Sequence, residues 1–315
     1  MARFPKPKPL IVAGACLLIG LLAYFFWALP DSAAETASQL SQYSQFPPLK
    51  PTDRLTIISP HLDDETIGLG GFIARARREQ VPVSVIFMTN GDDNPIGADF
   101  EFRTGYPGPN QLIQSGMVRQ HEAINALAQL GVSSNEIYFL GLPDRGLKSL
   151  LQPQYASQPY RAPGTLASDS PYPNSYQPNI PYTGDAIRQA LTQAINQTQP
   201  TLIFTTLPQD HHADHAATAV FVQQIEPQLT THPTLYYFLI HYSRYPRPAG
   251  VNHTLPLLPP KPFDQEKWQI IPLDAADINR QQAATNQYKT QLRIPLLGRL
   301  MQSFVRSNEL ALPAS

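Results

Sequence analysis

The sequence predicts an α/β fold: a Rossmann-like, mostly parallel sheet with helices on both faces, preceded by an N-terminal transmembrane helix. Three observations predict it. Short apolar runs of the buried type alternate with segments of helical period. Strands buried on both faces read as near-continuous apolar runs, which is the mark of a parallel sheet under helices. An uncharged stretch, Leu10 to Leu29, stands ahead of all of them.

That stretch is long enough for a hydrocarbon core of about 30 Å at about 1.5 Å per residue. Arg3, Lys6 and Lys8 precede it, and Tyr24, Phe25, Phe26 and Trp27 crowd its far end. A basic flank stays cytoplasmic and aromatic rings favour the interface, so the remainder is expected outside the cytoplasm. The competing reading is a cleaved signal peptide, with small residues at Ser32-Ala33-Ala34, which would leave a secreted protein. The apolar run exceeds the usual signal length of roughly 7–15 residues, which favours the anchor. Ala13-Gly14-Ala15-Cys16 resembles a lipidation site but sits early in the run. The expected organisation is a flank at 1–9, an anchor at 10–29, a Ser/Gln/Ala/Pro-rich linker at 30–52 and one domain at 53–315.

Within the domain the elements follow in order. Leu55–Ser59 reads as a strand and Thr66–Arg78 as a helix; Pro82–Thr89 is the second strand. Leu112–Leu130 is a helix that Gly131 stops. Glu136–Leu140 is a strand, Asp185–Gln197 a helix, Thr201–Thr206 a strand and Ala213–Gln224 a helix. Leu235–Ile240 and Trp268–Ile271 are later strands, and one final helix is expected over Ala275–Leu292. Two segments, 90–110 and 143–183, are rich in Pro, Gly, Tyr, Asn and Asp and read as long loops. Loops of that length are often functional. Their tyrosines (Tyr106, Tyr155, Tyr160, Tyr172, Tyr176, Tyr182) are candidates for stacking on sugar rings.

Composition narrows the chemistry. The chain has 315 residues, 15% of them charged, and a net charge of -1. No clustered basic excess suggests a nucleic-acid partner. Cys16 is the one cysteine, so a metal in the folded part must be held by His, Asp or Glu. The missing disulfide leaves the compartment open.

Two clusters stand at strand ends. Ser59-Pro60-His61-Leu62-Asp63-Asp64-Glu65 closes the first strand, and Asp210-His211-His212-Ala213-Asp214-His215 follows the run Thr201–Thr206. Alone, each has an ordinary reading: Asp63 or Asp64 capping a helix, or surface histidines. Together they hold four of the chain's eight histidines, at positions where parallel sheets bind ligands. Catalytic zinc takes three protein ligands and leaves a place for water. His61, Asp64 and His215 supply two nitrogens and a carboxylate. Asp63 is then free to act as general base on an activated water. His212 is positioned to donate a proton or stabilise an oxyanion, with Asp214 to orient it. His211 is a possible competing ligand.

These residues resemble the PIG-L/LmbE-like family of zinc-dependent N-acetylglucosaminyl deacetylases. The likeness lies in Pro-His-x-Asp-Asp-Glu, in His-x-Asp-His, and in Thr89-Asn90-Gly91-Asp92, Arg119, Glu122, Leu130-Gly131-Val132 and Leu140-Gly141-Leu142-Pro143-Asp144. Leu62 and Ala213 stand where the family commonly has proline, and the match loosens from Pro246. The resemblance implies Zn2+, or another divalent metal, at His61, Asp64 and His215. It implies catalysis by Asp63, His212 and Asp214, and places Arg119, Asp92 and Asp144 near the substrate. Arg119 and Glu122 could instead form a structural ion pair. The implied substrate is an N-acetylamino sugar on a glycolipid or envelope glycan, handled by a membrane-tethered hydrolase.

Two other readings compete. Asp210-His211-His212 matches the Asp-His-His string of two-metal phosphoesterases, but the earlier His-x-x-x-Asp-x-Asp spacing is missing around His61. A membrane-tethered carbohydrate-binding protein with this fold and no catalysis is the second alternative.

Overall fold

The computed structural model describes residues 37–314, so the expected anchor at 10–29 lies outside the described residues. Among the described residues no helix is long and apolar enough to cross a membrane. The strands are β1 (Ser44–Gln45), β2 (Leu55–Ser59), β3 (Val83–Thr89), β4 (Ile137–Leu142), β5 (Leu202–Thr206), β6 (Thr234–Phe238), β7 (Gln269–Pro272) and β8 (Asn308–Pro313). The helices are α1 (Asp64–Arg78), α2 (Pro95–Phe102), α3 (Pro109–Gln129), α4 (Leu147–Leu150), α5 (Gly184–Thr198), α6 (Ala213–Ile225), α7 (Ala275–Thr285), α8 (Lys289–Leu292) and α9 (Pro295–Ser303).

One sheet runs in the order β1-β7-β8-β6-β5-β2-β3-β4. The expected parallel core is present: β2 pairs with β3 and β5, β3 with β4, and β5 with β6, all parallel. Every residue of β2 is buried, as a strand covered on both faces requires. From β2 the chain builds outward to β3 and β4, then returns to β5 on the other side. The order in which the chain adds strands therefore reverses between β2 and β5, and ligands bind beyond the strand ends at such a point. Both sequence clusters follow these two strands.

Three differences from the sequence reading have physical causes. β8 was not expected; it runs antiparallel between β6 and β7, and its Asn308 and Glu309 are polar yet buried. The final helix is broken after Thr285, and Tyr288 at the break turns inward to donate to Glu65 at 2.5 Å. The segment 90–110 is not a bare loop, because Asn94 caps α2 by accepting from the Gly97 N–H at 3.0 Å.

Helix α1 is itself interrupted. Leu69 has φ -141° and ψ 15°, outside helical geometry. Two buried side chains from far downstream take up the backbone groups around the break. Gln281 Nε2 donates to the Thr66 and Ile67 carbonyls, each at 3.2 Å. The Glu309 carboxylate accepts from Gly71 N–H at 2.7 Å and Phe72 N–H at 2.8 Å. The helix also lies close on its neighbours: a Cβ at Gly68 would stand 2.6 Å from the Phe238 ring.

Candidate metal centre

The turn from β2 into α1 is braced by its own side chains. Ser59 Oγ donates to the His61 carbonyl at 2.8 Å, and the Thr89 N–H and hydroxyl both donate to the Pro60 carbonyl. Glu65 is buried beneath, with Thr66 Oγ1 and Tyr288 Oη donating to it. Its role is to fix the turn. Asp63 sits at φ 156° and ψ -26°, a conformation that side chains beyond glycine rarely adopt. That geometry sends the carboxylates of Asp63 and Asp64 in different directions.

Asp64 meets the second cluster. His61 Nδ1, Asp64 Oδ2 and His215 Nε2 form a near-equilateral triangle with edges of 3.1, 3.1 and 3.2 Å. Metal–ligand bonds of about 2.0–2.1 Å at tetrahedral angles place donor atoms about 3.3–3.4 Å apart, so this triangle fits a small divalent ion. The nitrogens behind the triangle are occupied by carboxylates. His61 Nε2 lies 3.2 Å from Asp144 Oδ1 and 3.5 Å from Asp214 Oδ2. His215 Nδ1 lies 3.1 Å from Asp210 Oδ2. Such partners fix the tautomer that leaves the inner nitrogen free for a metal.

The electrostatics agree with a site built for positive charge. Burial alone would lower both imidazoles. Hydrogen bonds to Asp144, Asp214 and Asp64 outweigh it at His61 and raise it well above its ordinary value. Asp210 and Asp64 do the same at His215, raising it to about 9. Asp64 would be raised by burial, but His215 and His61 hold it well below the usual carboxylate range. Asp63 is different: burial first, aided by the charge of Asp64 and opposed by Arg119, pushes it up to about 7. His212 is lowered to about 3 by burial and by the charges of His61 and His215.

The other expected site residues divide. Arg119 lines the cavity, with Nη2 3.5 Å from Asp63 Oδ2 and Nη1 donating to the Gly91 carbonyl at 2.6 Å. Gly91 admits it: φ is +60°, and a Cβ there would fall 1.6 Å from Nη1. Glu122 does not pair with Arg119 directly; it accepts from Thr290 N–H at 2.9 Å and Thr290 Oγ1 at 2.6 Å. Asp144 borders the cavity, but its contacts are to His61 and to the Asp93 N–H. Asp92 is corrected: it is buried and takes the Tyr172 hydroxyl at 2.5 Å, while its neighbour Asp93 faces the cavity. Asp214 is corrected too. It is the backbone N–H of Asp214 that meets His212, donating to Nδ1 at 3.3 Å, and this leaves Nε2 to carry the proton. The Asp214 carboxylate accepts from Arg145 and Leu147 N–H groups behind His61, because the start of α6 turns it away. His211 is exposed and lies against Tyr242, away from the donor triangle. Five of the six loop tyrosines are engaged within the protein: Tyr172 donates to Asp92, Tyr182 to the Gly141 carbonyl and Tyr176 to Gln197, and Tyr155 packs on Tyr160, whereas Tyr106 is 90% exposed.

Two residues have roles that the sequence did not disclose. Asp210 is a hub, accepting from the His212, Ile240 and His241 N–H groups as well as facing His215. His241 follows β6 and lines the cavity, its ring 4.8 Å from that of His215. A histidine just past an apolar run was the available signal, the same one that marks His61.

His61 and Asp64, with Asp63, His212 and His241, border a cavity of about 270 Å³ that is also lined by Gln291, Ile294, Leu297 and Leu300; His215 is fully buried behind them. Fold and site thus define an α/β domain with a buried His/Asp set that could hold a metal, at the point where the order of its strands reverses. The chain belongs to the PIG-L family: the family model described as GlcNAc-PI de-N-acetylase matches residues 56–226. The probable N-acetyl-alpha-D-glucosaminyl L-malate deacetylase 2 of Bacillus subtilis (strain 168) is 30% identical over 96 residues, 30% of this chain and 39% of that protein. The match therefore spans well under half of that curated relative. Two solved structures share the fold. The conserved protein TT1542 from Thermus thermophilus superposes with a TM-score of 0.51 at 18% identity, over 84% of this chain and 95% of that one. The A40926 pseudoaglycone deacetylase Dbv21 gives 0.51 at 19%, over 83% and 96%.

Proposed function

We propose that this chain is a metal-dependent hydrolase that removes the N-acetyl group from an N-acetylglucosaminyl compound. The observation that carries the reading is the donor triangle of His61, Asp64 and His215, with the carboxylate of Asp63 beside it and Arg119 behind that carboxylate. A divalent ion held there, zinc or another that accepts nitrogen and carboxylate donors, would polarise a carbonyl and make a water acidic near neutral pH. Asp63 takes the proton of the attacking water; a carboxylate raised toward neutrality by burial is matched to that task. His212, held by the start of α6 with Nε2–H free, donates a hydrogen bond to the oxygen on which negative charge develops. Proton return to the departing nitrogen completes amine release. Membership of the PIG-L family and the naming of the Bacillus subtilis relative both support an amino-sugar amide as the bond cleaved.

The test is amine release from a panel of N-acetylglucosamine conjugates by the full-length protein. Chelator should abolish it and zinc restore it. D63N should lose about 10²–10⁴-fold in kcat while binding metal as the wild type does. A folded, metal-loaded protein that binds the sugars but releases no amine from any of them would identify a carbohydrate-binding protein instead.

A further inference from the structure

Beside the metal cavity lies a second, larger concavity of about 650 Å³. The two share His241, Leu297 and Leu300 in their linings, so they adjoin. Beyond the shared wall the groove is lined by Tyr242, Tyr245 and Leu296. No Lys or Arg lines it, whereas Arg119 and Arg145 both line the metal cavity. Leu296, in the first turn of α9, is 51% exposed although its neighbours Leu297 and Leu300 turn toward the protein. An anionic substituent entering this groove would lose its water and meet no Lys or Arg in exchange, only the imidazoles of His211 and His241. A hydrocarbon group would gain from leaving water.

Resting on the deacetylase reading above, we infer that the groove is a substrate subsite for an uncharged hydrocarbon group attached to the amino sugar. α9 supplies one wall and the segment after β6 the other. The acetamide is thereby held at the metal donors while the rest of the substrate runs outward over Leu297 and Leu300.

Calorimetry on full-length, zinc-loaded D63N, which removes turnover, decides it. The probes are methyl, butyl and hexyl N-acetylglucosaminides, with N-acetylglucosamine 1-phosphate as the anionic comparison. Affinity should rise about fourfold for each methylene the groove covers. L296E in the same background should flatten that rise, L296A should reduce it, and the phosphate should bind no better than the methyl compound. A flat series, a rise that L296E leaves unchanged, or a phosphate that outbinds the hexyl compound overturns the subsite. Amine release by the wild type from the same alkyl series is read separately. If no member is hydrolysed, the deacetylase reading falls, and the slope of the affinities still decides the groove.

Discussion

At the scale of single residues, the site depends on what stands behind the metal donors as much as on the donors themselves. Asp210 is the clearest case. It holds His215 Nδ1 and collects three backbone N–H groups from two segments. Removing a carboxylate behind a metal-binding histidine typically costs 10–100-fold in metal affinity. D210A is therefore expected to weaken zinc binding by about that factor in competition with a chromophoric chelator, with Asp63 untouched. An unchanged affinity would mean that His215 keeps its orientation without help. The donor residues were legible in the sequence because each motif is contiguous and its chemistry is carried by residue type. The roles of Asp210 and His241 were not: Asp210 stands inside a motif but its function is set by backbone groups after β6, and a lone histidine gains its meaning from a neighbour brought by folding. Asp214 was read backwards: its spacing from His212 suggested a side-chain contact, and the first turn of α6 directs the carboxylate to His61 instead.

At the scale of elements, the break in α1 makes a remote strand part of the site's support. Glu309 of β8 takes two N–H groups of that helix, and leaving a buried donor unsatisfied costs about 1–3 kcal/mol. E309A should lower the melting temperature accordingly. The pH dependence has a definite sign. Burial raises Glu309 from 4.5 to about 8. Across that window the folded state keeps a proton that the unfolded chain releases, so the contribution of this group falls as pH rises. The stability of wild type relative to E309Q should therefore be greater at pH 5 than at pH 9. The opposite trend would show that the two N–H groups hold Glu309 as the anion. Core strands and long helices were legible from period and run length. β8 was hidden because two of its four buried positions, Asn308 and Glu309, are polar and break the apolar run, and the break before Tyr288 because nothing local demands it.

At the scale of the whole molecule, the end of the sheet that carries the candidate site is formed by the carboxyl ends of β2, β5 and β6. β1, by contrast, starts at the opposite end, since it runs parallel to β7. If the uncharged stretch at 10–29 is an anchor, the full chain should stay with the membrane through an alkaline wash and be open to protease from outside the cytoplasm. A soluble product starting near Ala34 would indicate cleavage instead. The interrupted helix also bears on how the molecule is made. A ribosome that has reached Met301 has already produced every metal donor, yet not the carboxylate that completes the helix carrying Asp64. A message cut short there would yield a chain with all the chemistry written in and its supporting strand missing. Such a chain would encode every donor and still lack the acceptor for the Gly71 and Phe72 N–H groups in the helix that begins at Asp64.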